Sequence, residues 1–160
     1  MPVILSLSLP GEAATAALAE ALAPLLKAGD TLLLDGPLGA GKTSFARALI
    51  RALAGPETEV PSPSFNLVLT YETSAGTVWH FDLYRVADPR ELDELGLDEA
   101  MSDGITLIEW PDRLGDAAPA SALTCRLAAD SASPAIRRAE LLGDDRWAQR
   151  LSRLTVSNHA

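Results

Sequence analysis

The stretch LDGPLGAGKTSF, residues 34–45, places three glycines, the second of the chain's two lysines and a threonine between two apolar segments. Gly36, Gly41, Lys42 and Thr43 satisfy the pattern G-x-x-x-x-G-K-[ST]. Average residue usage makes a chance match roughly 4 × 10⁻⁵ per position. Its surroundings are those the pattern needs. TLLLD, residues 31–35, is a short continuous apolar run, as expected of a strand buried on both faces. Phe45, Leu49, Ile50 and Leu53 then recur at helical spacing until Gly55 and Pro56 end the run. The order is strand, glycine loop, helix, the setting in which such a loop wraps phosphate.

The chemistry follows from the residue types. A phosphate chain is surrounded by backbone N–H groups, and Gly39 and Gly41 allow conformations other residues avoid. Leu38, Gly39, Ala40 and Gly41 are therefore expected to line the anion. Lys42 is placed to reach the terminal phosphates, Thr43 offers a hydroxyl to Mg²⁺, and the helix N-terminus adds a favourable field. A nucleoside triphosphate with Mg²⁺ is the expected ligand. The guanine-reading N-K-x-D is missing, since neither Lys27 nor Lys42 follows an asparagine, so ATP is favoured.

Hydrolysis needs further groups. ITLIEW, residues 105–110, reads as a buried strand delivering Glu109 to its C-terminal edge, where ligands of open α/β sheets bind. It is a candidate Mg²⁺-linked residue. In WHFDLYR, residues 79–85, a period of two puts His80, Asp82 and Tyr84 on one face and Trp79, Phe81 and Leu83 on the other. Asp82 is a candidate catalytic or metal-shell carboxylate. His80 reads first as a structural histidine, and Arg85 either pairs with Asp82 or contacts phosphate. Ser64, in the proline-stiffened VPSPSFNL of residues 60–67, offers a hydroxyl where a γ-phosphate switch would sit.

The rest of the chain supplies the frame. Residues 12–28 read as an Ala- and Leu-rich helix stopping at Gly29, with a possible kink at Pro24. NLVLTYE and TVWHFDLY form an expected antiparallel hairpin. Residues 89–102 read as acidic helix broken at Gly96. ALTCRLAAD and AIRRAELLG suggest a second hairpin, and DDRWAQRLSRL a closing helix capped by Asp144. The expected class is α/β: a P-loop NTPase-like mixed sheet with a parallel core, antiparallel hairpins and flanking helices. Residues 1–160 are expected to form one domain, as their number suits a single core.

Charge narrows the partners. The net charge of −9 is concentrated: residues 55–115 hold 13 acids against 3 bases, while residues 1–54 hold 4 and 4 and residues 116–160 hold 5 and 6. Autonomous binding to nucleic acid, which leans on basic contacts to phosphate, is disfavoured. The arginines at 126, 137, 138, 146, 150 and 153 either form an interface or balance charge internally. Pattern alone places none of them as an arginine finger, so slow ATP turnover by the isolated chain is expected. Cys125, alone, reads as packing. No membrane span or secretory signal is read from the sequence, and a cytoplasmic protein is expected.

The ordered set GPLGAGKT, SPSF, HFDLYR, ELDELGLDE and IEWPDR resembles the bacterial TsaE family, formerly YjeE, over about residues 10–115. The resemblance implies a P-loop ATPase of tRNA threonylcarbamoyladenosine (t6A) synthesis. It would hydrolyse ATP together with the TsaD-type threonylcarbamoyl-transferase and its TsaB-type paralogue, meeting tRNA only through that complex. Transfer of the group would belong to the partner. Carried onto matching positions, it makes Lys42 the phosphate ligand, Thr43 and Glu109 the Mg²⁺ shell, Asp82 a hydrolysis residue and Trp110 a neighbour of the site. Pro10 is a further nucleotide-side candidate. Pro37 stands where the family commonly has an acid, and Ser64 where it usually has threonine. Two other classes remain as alternatives: a small P-loop kinase, against which residues 86–104 offer Arg90 as their one basic residue, and a nucleotide-gated binding module.

Overall fold

The computed structural model describes residues 2–63, 66–129 and 136–154. Strand β2, Thr31–Asp35, and helix α2, Lys42–Ala54, take the bounds that the opening stretch predicts. Three further expectations hold. The first hairpin is β3, Val68–Thr73, and β4, Gly76–Asp82. Strand β5 is Ile105–Glu109. The second hairpin is β6, Leu123–Ala129, and β7, Ile136–Leu142.

Strand β1, Val3–Pro10, is not anticipated by the sequence reading. It pairs antiparallel with β7 across most of the chain, Ser6 opposite Glu140 and Pro10 opposite Ile136. The seven strands run in the order β1-β7-β6-β2-β5-β4-β3. Strands β6, β2, β5 and β4 are mutually parallel, and antiparallel strands flank them on both sides.

Alternation along the central strands divides the core into two layers, since successive side chains point to opposite faces. Leu32 and Leu34 of β2, Val78 of β4, and Ile105 and Leu107 of β5 join Leu18, Phe45 and Leu49 in one cluster. Helices α1, Glu12–Leu22, and α2 cover that face. Leu33, Phe81, Leu83 and Ile108 point the other way, meeting Leu92 of helix α3, Glu91–Glu94, and Leu97 and Ala100 of helix α4, Leu97–Asp103.

Helix α1 ends sooner than expected. Pro24 offers no N–H for an i−4 bond, and Ala23–Leu25 forms a 3₁₀ turn instead of a continuation to residue 28. The acidic segment breaks where Gly96, at φ 78°, separates α3 from α4. Helix α5, Asp145–Leu151, begins where the Asp144 side chain accepts the Trp147 N–H at 3.1 Å, the expected cap.

Candidate functional site

Parallel register assembles the site. Leu34 pairs with Glu109 and Asp82 pairs with Glu109, so β2, β5 and β4 end at one level. The chain leaving β2 must turn sharply into α2. Gly36 at φ 146°, Gly39 at 79° and Gly41 at 101° make that turn, conformations costly for residues with a Cβ. No side chain caps the first turn of α2. Its leading amides and its dipole therefore face the loop, as anion binding requires.

A cleft of about 300 Å³ lies over this junction, lined by Leu38, Gly39, Gly41, Lys42, Thr43, Ser44, Ser62, Asp82, Tyr84, Glu109, Trp110 and Arg137. A second cleft, of about 310 Å³, lies across the loop and is lined by Gly11, Glu12, Pro37, Leu38, Gly39, Ala40, Ala129 and Arg137.

Lys42 is 95% buried by the enclosing loop and indole. Its ammonium donates to the Gly36 carbonyl at 2.5 Å and lies 3.1 Å from the centre of the Trp110 ring. Burial pushes its pKa below the ordinary lysine value, against the opposing pull of Glu109, Asp35, Asp82 and Asp112. Trp110 reaches this position through a left-handed backbone, φ 61° and ψ 55°, which costs a non-glycine residue about 1–3 kcal/mol. Its ring meets Tyr84 at 4.9 Å between centroids.

Glu109 is fully enclosed at the end of β5, and each of its carboxylate oxygens has a partner. The Thr43 hydroxyl donates to Oε1 at 2.9 Å, and His80 Nε2 lies 2.6 Å from Oε2. Asp82 is nearly as buried, and its Oδ1 accepts the Tyr84 N–H at 3.0 Å.

These donors fit the expected ligand. Mg²⁺ usually takes one or two protein oxygens and completes its shell with phosphate and water, and Thr43 with Glu109 supplies such a pair. Among the described residues no group of three or more His, Cys, Asp or Glu forms a metal cage. The loop side of the cleft has the glycine turn, Lys42 and one further cation.

That cation is Arg137, one of six arginines in residues 116–160 that pattern alone does not distinguish. It projects from β7 against the loop: a methyl group on Gly41 would meet its Nη1 at 2.6 Å. Nη1 is buried and without a hydrogen-bond partner. Pattern alone singles out none of the six arginines, and the fold sets Arg137 apart by laying it against Gly41. A signal existed in AIRRAELL, because Ala139 and Leu141 face the α1/α2 layer and a period of two carries Arg137 to that same side. Arg126, Arg146 and Arg150 instead pair with Asp35, Asp144 and Asp30, balancing charge internally.

Of the other expected site residues, Pro10 is not brought to the clefts. Pro10 ends β1 in solvent and lines neither cleft, while its successors Gly11 and Glu12 do. Ser64 lies outside the described residues; Ser62, two positions earlier, lines the main cleft.

A parallel-cored sheet whose first central strand turns through a glycine loop into a helix, with a strand-end glutamate bonded to the loop threonine, defines a P-loop NTPase-like α/β protein. The family model for Threonylcarbamoyl adenosine biosynthesis protein TsaE matches residues 9–139, a span that reaches Arg137. The chain belongs to the TsaE family.

Relatives agree with that placement. The tRNA threonylcarbamoyladenosine biosynthesis protein TsaE of Rickettsia felis is 48% identical over 106 residues, which is 66% of this chain and 62% of that protein. The protein of the same name from Aquifex aeolicus is 41% identical over 114 residues, 71% of this chain and 81% of that one. The match to the Rickettsia felis protein thus spans about six-tenths of its length. The crystal structure of YdiB from Bacillus subtilis superposes with a TM-score of 0.74 at 26% identity, covering 92% of this chain and 91% of that one. Among the described residues no helix is long and apolar enough to cross a membrane.

Proposed function

We propose that this protein binds ATP with Mg²⁺ and hydrolyses it in support of t6A formation on tRNA, in association with a TsaD-type transferase and a TsaB-type paralogue. The observation that carries the reading is the 2.9 Å hydrogen bond between Thr43 and Glu109, which joins the start of the P-loop helix to the end of β5 beside Asp82. Bound Mg²⁺ would neutralise developing phosphate charge. Thr43 and Glu109 would hold it, while Lys42, Arg137 and the loop amides grip the triphosphate. Asp82, level with Glu109 on the neighbouring strand, would orient the attacking water. Trp110 and Tyr84 wall the cleft and limit bulk water.

Two features support hydrolysis over phosphorylation of an acceptor. Arg90 is the one basic residue in 86–104, and it extends into solvent paired to Asp88 at 2.8 Å. No cluster of arginines forms a kinase-like lid there. Arg137 supplies one cation from within the chain, so partner dependence rests on family likeness rather than on a missing arginine.

The test is ATP turnover by the protein alone and with the two partners, together with t6A content of tRNA from cells lacking it. The expected result is slow turnover alone, a marked rise with partners, and loss of t6A. Asp82→Asn and Glu109→Gln should suppress turnover. Equal turnover in both variants, or normal t6A in depleted cells, would reject the reading.

A further inference from the structure

His80 occupies the α1/α2 side of β4, fully enclosed, two positions before Asp82 and opposite Leu107 of β5. Its imidazole makes one polar contact, from Nε2 to Glu109 Oε2 at 2.6 Å, and its buried Nδ1 has none. An N–H on Nδ1 would be a buried unsatisfied donor, which carries the full cost of its lost hydration. A bare lone pair there costs less. The contact therefore selects the tautomer with hydrogen on Nε2, which donates to Oε2.

This has a consequence for Glu109. A buried carboxylate with two free oxygens could rotate about its last torsion, which is broad in glutamate. Here Oε2 is occupied from below by His80, and Oε1 is left at the Thr43 hydroxyl. We infer that His80 is a positioning residue that fixes Glu109 so that its single oxygen Oε1 faces the cation site beside Thr43. Partners of this kind orient metal ligands, and losing one typically costs about ten- to a hundred-fold in metal affinity. The inference rests on the Mg²⁺-nucleotide reading above.

Asparagine and glutamine separate orientation from space-filling, because the glutamine amide reaches where Nε2 stands and the asparagine amide stops near Nδ1. The experiment titrates a fluorescent ATP analogue against the wild type, His80→Asn and His80→Gln, over a range of Mg²⁺ and in EDTA. His80→Asn should need about ten- to a hundred-fold more Mg²⁺ to reach the same nucleotide affinity, with affinity in EDTA unchanged. His80→Gln should restore most of the wild-type response. Wild-type Mg²⁺ dependence in His80→Asn, or the same defect in His80→Gln, would overturn the assignment of His80 alone. A wild type indifferent to Mg²⁺ would overturn the metal reading and this inference with it. The wild type gives a second test that needs no variant at position 80 to fold: nitrogen-15 spectra of its two histidines, with the His159→Ala variant used for assignment. The expected spectrum has His80 protonated on Nε2 and bare on Nδ1; the opposite tautomer would overturn the inference.

Discussion

Arg137 lies against Gly41 so closely that a single added methyl group would stand 2.6 Å from its Nη1. Gly41 also holds φ at 101°, a conformation strained for alanine. Gly41→Ala should therefore distort the loop and displace the guanidinium at once, abolishing ATP binding. Arg137→Ala keeps the loop and removes the cation. A charge-assisted hydrogen bond contributes about 1.5–3 kcal/mol, so ATP affinity should fall by about ten- to a hundred-fold. Titration of a fluorescent ATP analogue checks both. Unchanged affinity in Arg137→Ala would show that the buried guanidinium does not meet phosphate.

Lys42 illustrates a site that is held at a cost in stability. Burial lowers its pKa despite four nearby carboxylates, so desolvation outweighs their attraction. Lys42→Met retains most of the side chain's volume and removes the buried charge. The expected outcome is a melting temperature no lower than wild type, with ATP affinity reduced by at least about a hundred-fold. A large drop in melting temperature would mean that the ammonium is chiefly structural.

Arg47 and Arg51 of α2 reach back to the segment that follows their own helix. Arg47 Nε donates to the Val60 carbonyl at 3.1 Å, and Arg51 Nε to the Thr58 carbonyl at 3.1 Å. The helix that begins at Lys42 thus sets the path of the chain toward Ser62 in the cleft. Arg47→Ala should cost about 1 kcal/mol of global stability. It should accelerate hydrogen exchange in residues 58–63 more than elsewhere. Exchange unchanged in that segment would remove the coupling.

The legibility of this molecule in its sequence divides by range. The strand, glycine loop and α2 were readable because period, glycine placement and a terminal stop act within a few residues. Glu109 and Asp82 were readable because a period of two and a short buried run place them at strand ends. Strand β1 was not, because its pairing with β7 joins Ser6 to Glu140 and leaves little local trace. Arg137 reaches the loop through the same distant edge of the sheet. Its alternation shows the face it occupies, but only the strand order brings that face over Gly41. The early end of α1 followed from Pro24, whose missing N–H outweighed the helical propensity of the flanking alanines and leucines. The local pattern of His80 reads first as structural, and its contact with Glu109 follows only from the register that sets Asp82 level with Glu109.

Cys125 faces the α1/α2 layer from β6 and is wholly enclosed. Loss of hydration disfavours the thiolate and pushes the thiol up from 9.0 to about 12. Two outcomes follow. At neutral pH the native protein should resist a thiol alkylating reagent and react fully only after unfolding, so that the rate reports global opening. Above pH 9.0 the unfolded chain ionises at this position while the folded one does not. Folding stability should therefore fall as pH rises through the interval up to about 12, because the unfolded state gains by releasing a proton that the folded state retains. Cys125→Ala removes this contribution and should flatten the alkaline limb of the melting-temperature profile, at the expense of a small cavity. Rapid alkylation of native protein at neutral pH, or an alkaline limb identical in Cys125→Ala, would contradict an enclosed thiol.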